Sequence, residues 1–358
     1  MIEKEKKFFE ERLEVNFQKQ NQEIIESINK EYGEGTIATL GESKFKDYPT
    51  LPTGSIILDR EVGGGYPLGK IVEIYGENSS GKTTLALHAV RECQKLGKRV
   101  AWFDVENALI AKNAQNIGVN IDELLVLYPN TGEETFKLIA DFIKEKEAKK
   151  KFGLIVVDSV AALMPEKMLG DFEEPVIGAH ARMMNNGLKQ ILHEMTNRET
   201  IVIFINQIRN KISTGYFSFG SPKTTTGGVA LTYFSSLRIE LKNKKEKVEK
   251  EGKYAGVKIW VRVEKVKLVP DYTFSKDKES KEKPLEIMFK GGIQKEREVF
   301  DLATELNILQ KSGNWCSYKQ KKIGNGKENS VDYLKKNTEI YQAIEKEVID
   351  QIANSKEI

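Results

Sequence analysis

One short segment constrains the fold of this chain more than any other. The β-branched run IVEIY, at residues 71–75, passes directly into GENSSGKTTLALHAV and matches the pattern GxxxxGK[ST]. Glycines let the backbone fold around an anion, and the N–H groups of a helix N-terminus face the phosphates. Lys82 is expected to reach the outer phosphates and the Thr83 hydroxyl to ligate Mg²⁺. The residues predicted to bind nucleotide here are Gly76, Glu77, Asn78, Ser79, Ser80, Gly81, Lys82, Thr83 and Thr84.

This loop lies within a longer alternation of strand and helix patterns, from about Lys70 to Leu241. Apolar runs such as RVAWFD, LIVVDS, IVIFIN and SLRIEL alternate with helical patterns, one starting at Lys82 and one over about 178–196. Strands that are apolar on both faces are typical of a parallel sheet covered by helices. We therefore expect an α/β fold with a mainly parallel central sheet.

Polar side chains follow three further strand patterns, at the edge where parallel sheets bind ligands. LIVVDS delivers Asp158, a carboxylate suited to holding Mg²⁺, although an Asp after a strand also commonly caps a helix. RVAWFDVEN provides Asp104 and Glu106, and we favour Glu106 as the base that polarises water. IVIFINQ ends in Asn206 and Gln207, neutral groups suited to sensing a γ-phosphate. Together the strand ends predict a site for ATP and Mg²⁺.

The two ends of the chain differ from this core. Residues 1–32 carry apolar side chains at near-helical spacing, which predicts an amphipathic helical arm that packs either on a partner or on its own domain. We expect the ATPase core to span 33–270. The remaining part, 271–358, would hold the last core strands and then a small α+β domain from about residue 297.

Composition narrows the class of protein. The chain has 39% apolar and 30% charged residues and a net charge of +3, so a nucleic-acid site would have to come from local arrangement. Its apolar runs are strand-sized and its N-terminus carries both signs of charge, so we expect no membrane span and a cytoplasmic location. Cys93 and Cys316 lack the spacing of a metal site. The charge-dense segments 241–253 and 275–283 are interpreted as solvated loops or hairpin tips.

Several motifs resemble the bacterial RecA recombinase family in order and spacing: GENSSGKTTLALH, WFDVENAL, IVVDSVAALMP, ARMMNNGLKQ, FINQIRNKI and PKTTTGG. The resemblance extends from about Asn21 to Ile352. It implies a protein of homologous recombination, DNA repair and the SOS response. Such a protein forms filaments on single-stranded DNA, pairs it with homologous duplex and promotes strand exchange with DNA-stimulated ATP hydrolysis. A self-cleaving repressor and filament-loading proteins are further partners that the sequence alone leaves open.

The resemblance also implies roles for residues at matching positions. Glu106 becomes the catalytic carboxylate, Gln207 the γ-phosphate sensor and Asp158 the carboxylate beside Mg²⁺. The two DNA-binding loops correspond to about 166–177 and 209–228. Cations and backbone amides would hold the DNA backbone, and apolar side chains would insert between bases. The implied DNA-binding residues are Ile177, Arg182, Asn185, Lys189, Arg209, Lys211, Ile212, Thr226, Gly227 and Gly228.

Lys265 and Lys267 match two lysines that this family projects onto the ATP of the neighbouring subunit. Alternation along a strand puts both on one face, and a solvated strand face is the alternative interpretation.

The chain also departs from the family pattern. Asn113 replaces a tyrosine that stacks on adenine, and Ile110 replaces a nearby acid, which leaves the adenine contacts open. Thr232 and Tyr233 stand where Lys and Phe are common at the subunit-coupling helix. The second DNA loop is longer than usual, so its register stays open.

Two other classes of protein share part of this pattern. A ring helicase or regulatory ATPase would keep the phosphate loop but have different loops and ends, and would form closed rings. A small-molecule kinase or nucleotide-binding scaffold would have ATPase activity that ignores single-stranded DNA. The segment 209–228 and the predicted small C-terminal domain favour the recombinase family.

Overall fold

The computed structural model describes residues 2–33, 36–39, 49–145, 147, 151–169, 178–196, 198–210, 223–250, 252–267 and 282–354. For residues 2–16, 209, 210, 223, 224, 353 and 354 it describes the backbone alone. The chain divides into two units, residues 1–49 and 50–358. The first unit contains helix α1, Ile2–Tyr32, with Phe17 and Tyr32 exposed. Its use as a polymerisation arm stays a prediction.

The first half of the second unit alternates strands and helices around the phosphate loop. Its elements are β1 Thr50–Leu51, α2 Ile56–Val62, β2 Tyr66–Pro67, β3 Ile71–Gly76, α3 Lys82–Lys95, β4 Arg99–Asp104, α4 Ala111–Ile117, β5 Leu124–Leu127, α5 Gly132–Lys144, β6 Phe152–Asp158, α6 Ala179–Glu194 and β7 Ile201–Asn210.

The second half continues the same sheet and then forms the C-terminal lobe. Its elements are β8 Lys223–Thr225, α7 Ala230–Phe234, β9 Leu237–Lys250, β10 Lys253–Val266, β11 Lys283–Met288, β12 Gly292–Ile293, α8 Lys295–Glu305, β13 Gln310–Ser312, β14 Trp315–Tyr318, β15 Lys321–Asn325, α9 Gly326–Lys336 and α10 Thr338–Asn354.

The large sheet has the strand order β12-β11-β10-β9-β3-β7-β6-β4-β5, and β8 pairs with β7. The neighbours from β9 through β3, β7, β6 and β4 to β5 run parallel, whereas β9 to β12 pair antiparallel. The predicted α/β fold with a mainly parallel sheet is therefore confirmed. Because parallel strands end at one edge, β3, β4, β6 and β7 deliver their polar termini to the same place.

Helices cover both faces of this sheet, which explains why its central strands are apolar on both sides. In β7, Ile203 packs into one cluster with Leu85 of α3. Its neighbour Phe204 packs on the opposite face with Ile139 of α5 and Leu188 of α6. No helix in the described part of the chain is long and apolar enough to span a membrane.

Residues 241–253, interpreted as a solvated loop or hairpin tip, form a hairpin tip only at their end, and the interpretation as a loop is wrong for the rest. These residues extend β9 to Lys250, and the turn to β10 comes only at Gly252. Lysine-rich sequence is held in a strand here because β10 supplies the ladder partner and an apolar side chain, Trp260, over which Lys244 lies. Of the segment 275–283, residues 275–281 lie outside the described residues and Lys283 begins β11.

The C-terminal lobe consists of α8, α9, α10 and the antiparallel sheet β13-β14-β15. These elements surround their own apolar cluster, which includes Val299, Ile323, Leu334 and Val348. The lobe contacts the core through Glu298 of α8, which accepts hydrogen bonds from the hydroxyl and amide groups at the N-terminus of α2.

Candidate functional site

The phosphate loop joins β3 to α3 and requires its glycines. Gly81, the N-cap of α3, has φ 86°, and a Cβ there would lie 2.6 Å from Cδ1 of Ile287. A Cβ at Gly76 would lie 2.2 Å from the carbonyl oxygen of Leu241. A side chain at position 76 would push the backbone of β9 away from the loop, whereas position 81 requires glycine chiefly because of its left-handed backbone.

Lys82 folds back over the loop that precedes it. Its Nζ donates hydrogen bonds to the carbonyl oxygens of Gly76 at 3.3 Å and Glu77 at 2.8 Å. Burial lowers the pKa of Lys82, and the charges of Asp158 and Glu106 oppose that shift. A cation bound only to backbone carbonyls can transfer to a stronger acceptor, such as a phosphate oxygen.

Ser80 supports the same interpretation, since its hydroxyl lies buried in the loop without a hydrogen-bond partner. Buried polar groups without protein partners are uncommon, and at a binding site such a group is free to bond to a ligand. The donors of this loop and its close packing are chemically suited to an anion such as a polyphosphate.

A side chain from the first turn of α3 meets one from the end of β6 beside the loop. Thr83 Oγ1 donates to Oδ2 of Asp158 at 2.9 Å. Burial, followed by the charges of Glu106 and Asp104, raises the pKa of Asp158 to about 6, while the Thr83 hydrogen bond acts in the opposite direction. A hydroxyl and a desolvated carboxylate at this spacing are suited to a hard cation such as Mg²⁺.

Glu106 is held by two donors beside this pair. The Ser159 hydroxyl donates to its Oε1, and Gln207 Nε2 donates to the same oxygen at 2.9 Å. Asp104 has a different contact, because its two oxygens accept the backbone amides of Ala108 and Leu109 at 3.0 Å each. Asp104 therefore caps the following turn, and Glu106 is the carboxylate that faces the other polar groups.

The part of β7 where its pairing with β3 stops connects this site to the return of the second predicted DNA loop. The carbonyl of Gln207 accepts the amide hydrogen of Thr226 at 3.2 Å, and Asn206 Nδ2 donates to the carbonyl of Thr226 at 2.9 Å. Gly227 and Gly228 follow directly and lead into α7. The segment that contains the predicted DNA contacts is thus hydrogen-bonded to the residue that touches Glu106.

The structure groups some of the predicted DNA-binding residues and does not describe others. Arg182, Asn185 and Lys189 form one stripe of α6 at spacings of three and four residues, with Arg182 and Lys189 exposed. Arg209 lies in β7, where the backbone alone is described. Ile177, Lys211 and Ile212 lie outside the described residues.

Lys265 and Lys267, near the end of β10, contact the C-terminus of α7 in the single chain. Lys265 Nζ donates to the carbonyl oxygens of Thr232 at 2.5 Å and Tyr233 at 3.1 Å, and Lys267 Nζ donates to that of Tyr233 at 3.1 Å. Burial and the charge of Lys267 lower the pKa of Lys265 to about 8. Both ammonium groups therefore lie on one side of β10, as alternation predicts.

The positions that depart from the family pattern are exposed at the start of α4. Ile110, the N-cap residue, is 58% exposed, and Asn113 lies on the surface one turn later. Their relation to an adenine ring stays a prediction.

Sequence reasoning missed several side chains that organise the site. The Ser159 hydroxyl donates to Glu106. Asn243 Nδ2 donates to the carbonyl oxygen of Ser79 in the phosphate loop at 3.0 Å. Glu73 and Arg238 form a buried ion pair at 2.6 Å. The signal for this pair was the single carboxylate inside the apolar run IVEIY, because a buried charge requires a partner.

Comparisons with known proteins cover nearly the whole chain. The model for the RecA N-terminal domain matches residues 19–294, and that for the RecA C-terminal domain matches residues 297–353. Protein RecA of Bacillus subtilis (strain 168) is 40% identical over 326 residues, which cover 90% of this chain and 89% of that protein. Protein RecA of Lactobacillus acidophilus is 40% identical over 326 residues, which cover 90% and 85%. Protein RecA of Bacillus cereus (strain ATCC 10987) is 40% identical over 322 residues, which cover 89% of each.

Proposed function

The chain belongs to the RecA family of DNA recombination and repair proteins, and we propose how its own residues support that function. It is a DNA-dependent ATPase that forms filaments on single-stranded DNA and pairs the bound strand with homologous duplex. The observation that carries the residue assignments is the contact between Gln207 and Glu106 at 2.9 Å, beside the phosphate loop. It joins β7, the strand that leads into the second predicted DNA loop, to the carboxylate best placed for hydrolysis.

We assign nucleotide binding to the loop between Gly76 and Thr84. Backbone amides at the start of α3 and the Ser80 hydroxyl would donate to the phosphates, and Lys82 would exchange its carbonyl partners for phosphate oxygens. Thr83 and Asp158 would hold Mg²⁺. The bound cation supplies charge neutralisation to the phosphates.

We assign water activation to Glu106. Its carboxylate accepts from Ser159 and Gln207, which fixes its orientation while it remains an acceptor for a further proton. Such a base orients and polarises the attacking water. Gln207 would act as the γ-phosphate sensor. A shift of Gln207 on contact with the phosphate would also displace Thr226, because the two backbones share a hydrogen bond at 3.2 Å.

DNA would lie along the face formed by α6 and the segment before α7. Arg182 and Lys189 provide cations on the exposed stripe of α6, and Gly227 and Gly228 provide backbone amides. Contacts of this kind hold the phosphate backbone of any sequence, as a recombinase requires.

The assembly requires contacts between copies of the chain. We assign Lys265 and Lys267 to the ATP of a neighbouring subunit and the helical arm at 1–32 to filament assembly. The N-terminal arm, the core over 33–270 and the portion over 271–358 are the units in which we expect these roles to be divided. We also propose a cytoplasmic location, and a self-cleaving repressor and filament-loading proteins as further partners.

The deciding experiment measures ATP hydrolysis by the full chain with and without single-stranded DNA, at fixed Mg²⁺ and salt. Stimulation that saturates with DNA and is independent of base composition supports the proposal. Equal rates in both arms would overturn it and favour a small-molecule kinase or a nucleotide-binding scaffold. Electron microscopy of the same samples separates extended filaments from the closed rings of a helicase.

A further inference from the structure

A group of buried polar side chains lies on three neighbouring strands of the large sheet, β7, β3 and β9. Its members are Glu73 in β3, Asn206 in β7, and Arg238 in β9, and each is at most 8% exposed. None of them lies in the phosphate loop or on the DNA-facing stripe of α6. We call these three residues the buried triad.

Asn206 occupies the centre of three contacts. Its Nδ2 donates to Oε1 of Glu73 at 2.9 Å and to the carbonyl oxygen of Thr226 at 2.9 Å, and its Oδ1 accepts the amide hydrogen of Gln207 at 2.8 Å. Both amide hydrogens and the amide oxygen are therefore used. The side chain ties the residue that touches Glu106 to the return of the DNA loop and to β3.

Glu73 extends this connection across β3 to the neighbouring strand β9. Its second oxygen, Oε2, accepts from Nε of Arg238 at 2.6 Å, and Arg238 Nη1 donates to Glu264 Oε2 at 2.9 Å. The guanidinium also lies over the ring of Tyr75, 4.7 Å from its centroid. Arg238 is thus fixed by ion pairs and by a ring contact, with little freedom to move alone.

Arg238 is also the cross-strand neighbour of Lys265. The two residues are paired in the β9–β10 register, immediately after the irregularity that accommodates Glu264. Electrostatic effects pass between them, since the charge of Arg238 contributes to the lowered pKa of Lys265 and that of Glu73 opposes it. The triad therefore runs by direct contacts from the backbone of Gln207 to the strand position of Lys265.

The hydrogen-bond directions in this group admit one arrangement. Both oxygens of Glu73 accept, so an amide at position 73 would turn an NH₂ toward a donor of Asn206 or of Arg238. A flip of Asn206 would not resolve the conflict, because its NH₂ would then face the amide hydrogen of Gln207. A carboxylate at residue 73 is needed to keep the other two members in place.

We propose that Glu73, Asn206 and Arg238 are positioning residues that couple the position of Gln207 to that of Lys265. A subunit then cannot rearrange its γ-phosphate sensor without affecting the lysine that it presents to the next subunit. The inference rests on the roles proposed above for Gln207 and Lys265, and it adds residues that touch neither nucleotide nor DNA. A buried ion pair contributes little to stability, because the desolvation of its charges offsets their attraction. A role in coupling would explain why these charges are buried here.

Glu73→Gln in the full chain tests the proposal, with Glu92→Gln as the matched control. Glu92 is a similarly buried carboxylate, 7% exposed, whose ion pairs with Arg91, Lys95 and Lys295 lie away from the triad. Binding of a fluorescent ATP analogue without DNA should change by less than about twofold in both variants. The ratio of ATPase rates with and without single-stranded DNA should fall by about fivefold or more in Glu73→Gln alone, the range of a typical coupling effect.

The outcomes separate this inference from the proposed function. If the unmodified chain shows no stimulation by DNA, the proposed function itself fails. If it is stimulated and folded Glu73→Gln keeps the same ratio, the positioning role is wrong. Where Glu73→Gln melts below the assay temperature, Arg238→Lys is measured instead, since it keeps the charge but cannot bridge Glu73 and Glu264. Loss of folding in both variants would assign the triad to core stability and overturn the proposal.

Discussion

The side-chain amide of Gln207 donates to Oε1 of Glu106 at 2.9 Å, although the two residues come from different strands, 101 positions apart in the chain. The contact joins a neutral group, on β7 where its pairing with β3 stops, to a carboxylate that follows the end of β4. Ser159, directly after β6, holds the same oxygen. Residues on or directly after three neighbouring strands, β4, β6 and β7, are therefore brought together at one carboxylate.

Glu106→Gln should retain nucleotide binding and lose hydrolysis. The amide keeps the size of the side chain but cannot accept a proton from water, so the turnover number should fall about 10²-fold or more. Filaments formed with ATP should persist, as seen by electron microscopy. The exposed Glu123→Gln is the control and should hydrolyse normally. A near-normal rate in Glu106→Gln would mean that another group activates water.

Asp158→Asn should stabilise the nucleotide-free protein near neutral pH while weakening Mg²⁺-dependent nucleotide binding. The folded-state pKa of Asp158 is raised from 3.8 to about 6, chiefly by burial, so the folded state binds the proton more tightly than the unfolded state. The free energy of unfolding therefore decreases as pH rises from about 4 to 6, and the cost is full above pH 6. Over roughly two pKa units that cost is at most about 3 kcal/mol.

Thermal melting of the nucleotide-free protein at pH 4.5 and pH 7.5 checks this. The gain in Tm of Asp158→Asn over the parent should be larger at pH 7.5. Thr83→Val provides the comparison, because it removes the hydrogen bond that lowers the pKa of Asp158 and should destabilise the parent at pH 7.5. An Asn variant that is less stable than the parent at pH 7.5 would contradict the prediction.

Arg182→Ala/Lys189→Ala should weaken binding to single-stranded DNA of every base composition. If both cations neutralise phosphates, the slope of log K against log salt should become shallower by about 0.7 for each phosphate that is no longer neutralised. Titrations of dT and mixed-sequence oligonucleotides at several salt concentrations measure this. Lys346→Ala, on the exposed surface of α10, should leave the slope unchanged. A defect confined to one sequence would argue against backbone contacts.

Lys265→Ala/Lys267→Ala and Lys82→Ala should each be inactive alone and partly active when mixed. In a mixed filament the first variant offers an intact phosphate loop and the second offers intact lysines. About one interface in four is then complete if heterologous assembly is random. Cations supplied in trans are worth about 10³-fold in such reactions, so the regained ATPase should be easily measured. Mixed filaments without activity would remove the support for a trans role.

Much of this fold follows from local pattern, and the failures have physical causes. β3, β6 and β7 are buried on both faces, so they appear as unbroken apolar runs that local pattern predicts. β5, Leu124–Leu127, is a short edge strand with exposed Leu125, and its pattern is too brief to identify. The lysine-rich half of β9 is a strand only because β10 pairs with it, which is information that a local window does not contain.

The candidate site shows the same division. Lys82, Thr83 and Asp158 belong to short sequence motifs, so the sequence alone predicts that they lie together at one site. Ser159 is visible in the sequence only as a neighbour of Asp158, and its contact with Glu106 depends on how two strands align. The partnership of Glu73 with Arg238 spans 165 positions and is fixed by strand order, which sequence alone leaves open.

The contact between α8 and α2 has a consequence for how this protein can be divided. Glu298 lies in the segment matched by the RecA C-terminal domain, yet its carboxylate accepts from Ser55 Oγ and the amide of Ile56, each at 2.7 Å, at the first turn of a core helix. Truncation between residues 294 and 297, where the two family matches meet, would remove that acceptor from a buried helix end. Homology boundaries therefore make a poor guide for fragment expression, because residues 50–358 form one compact unit.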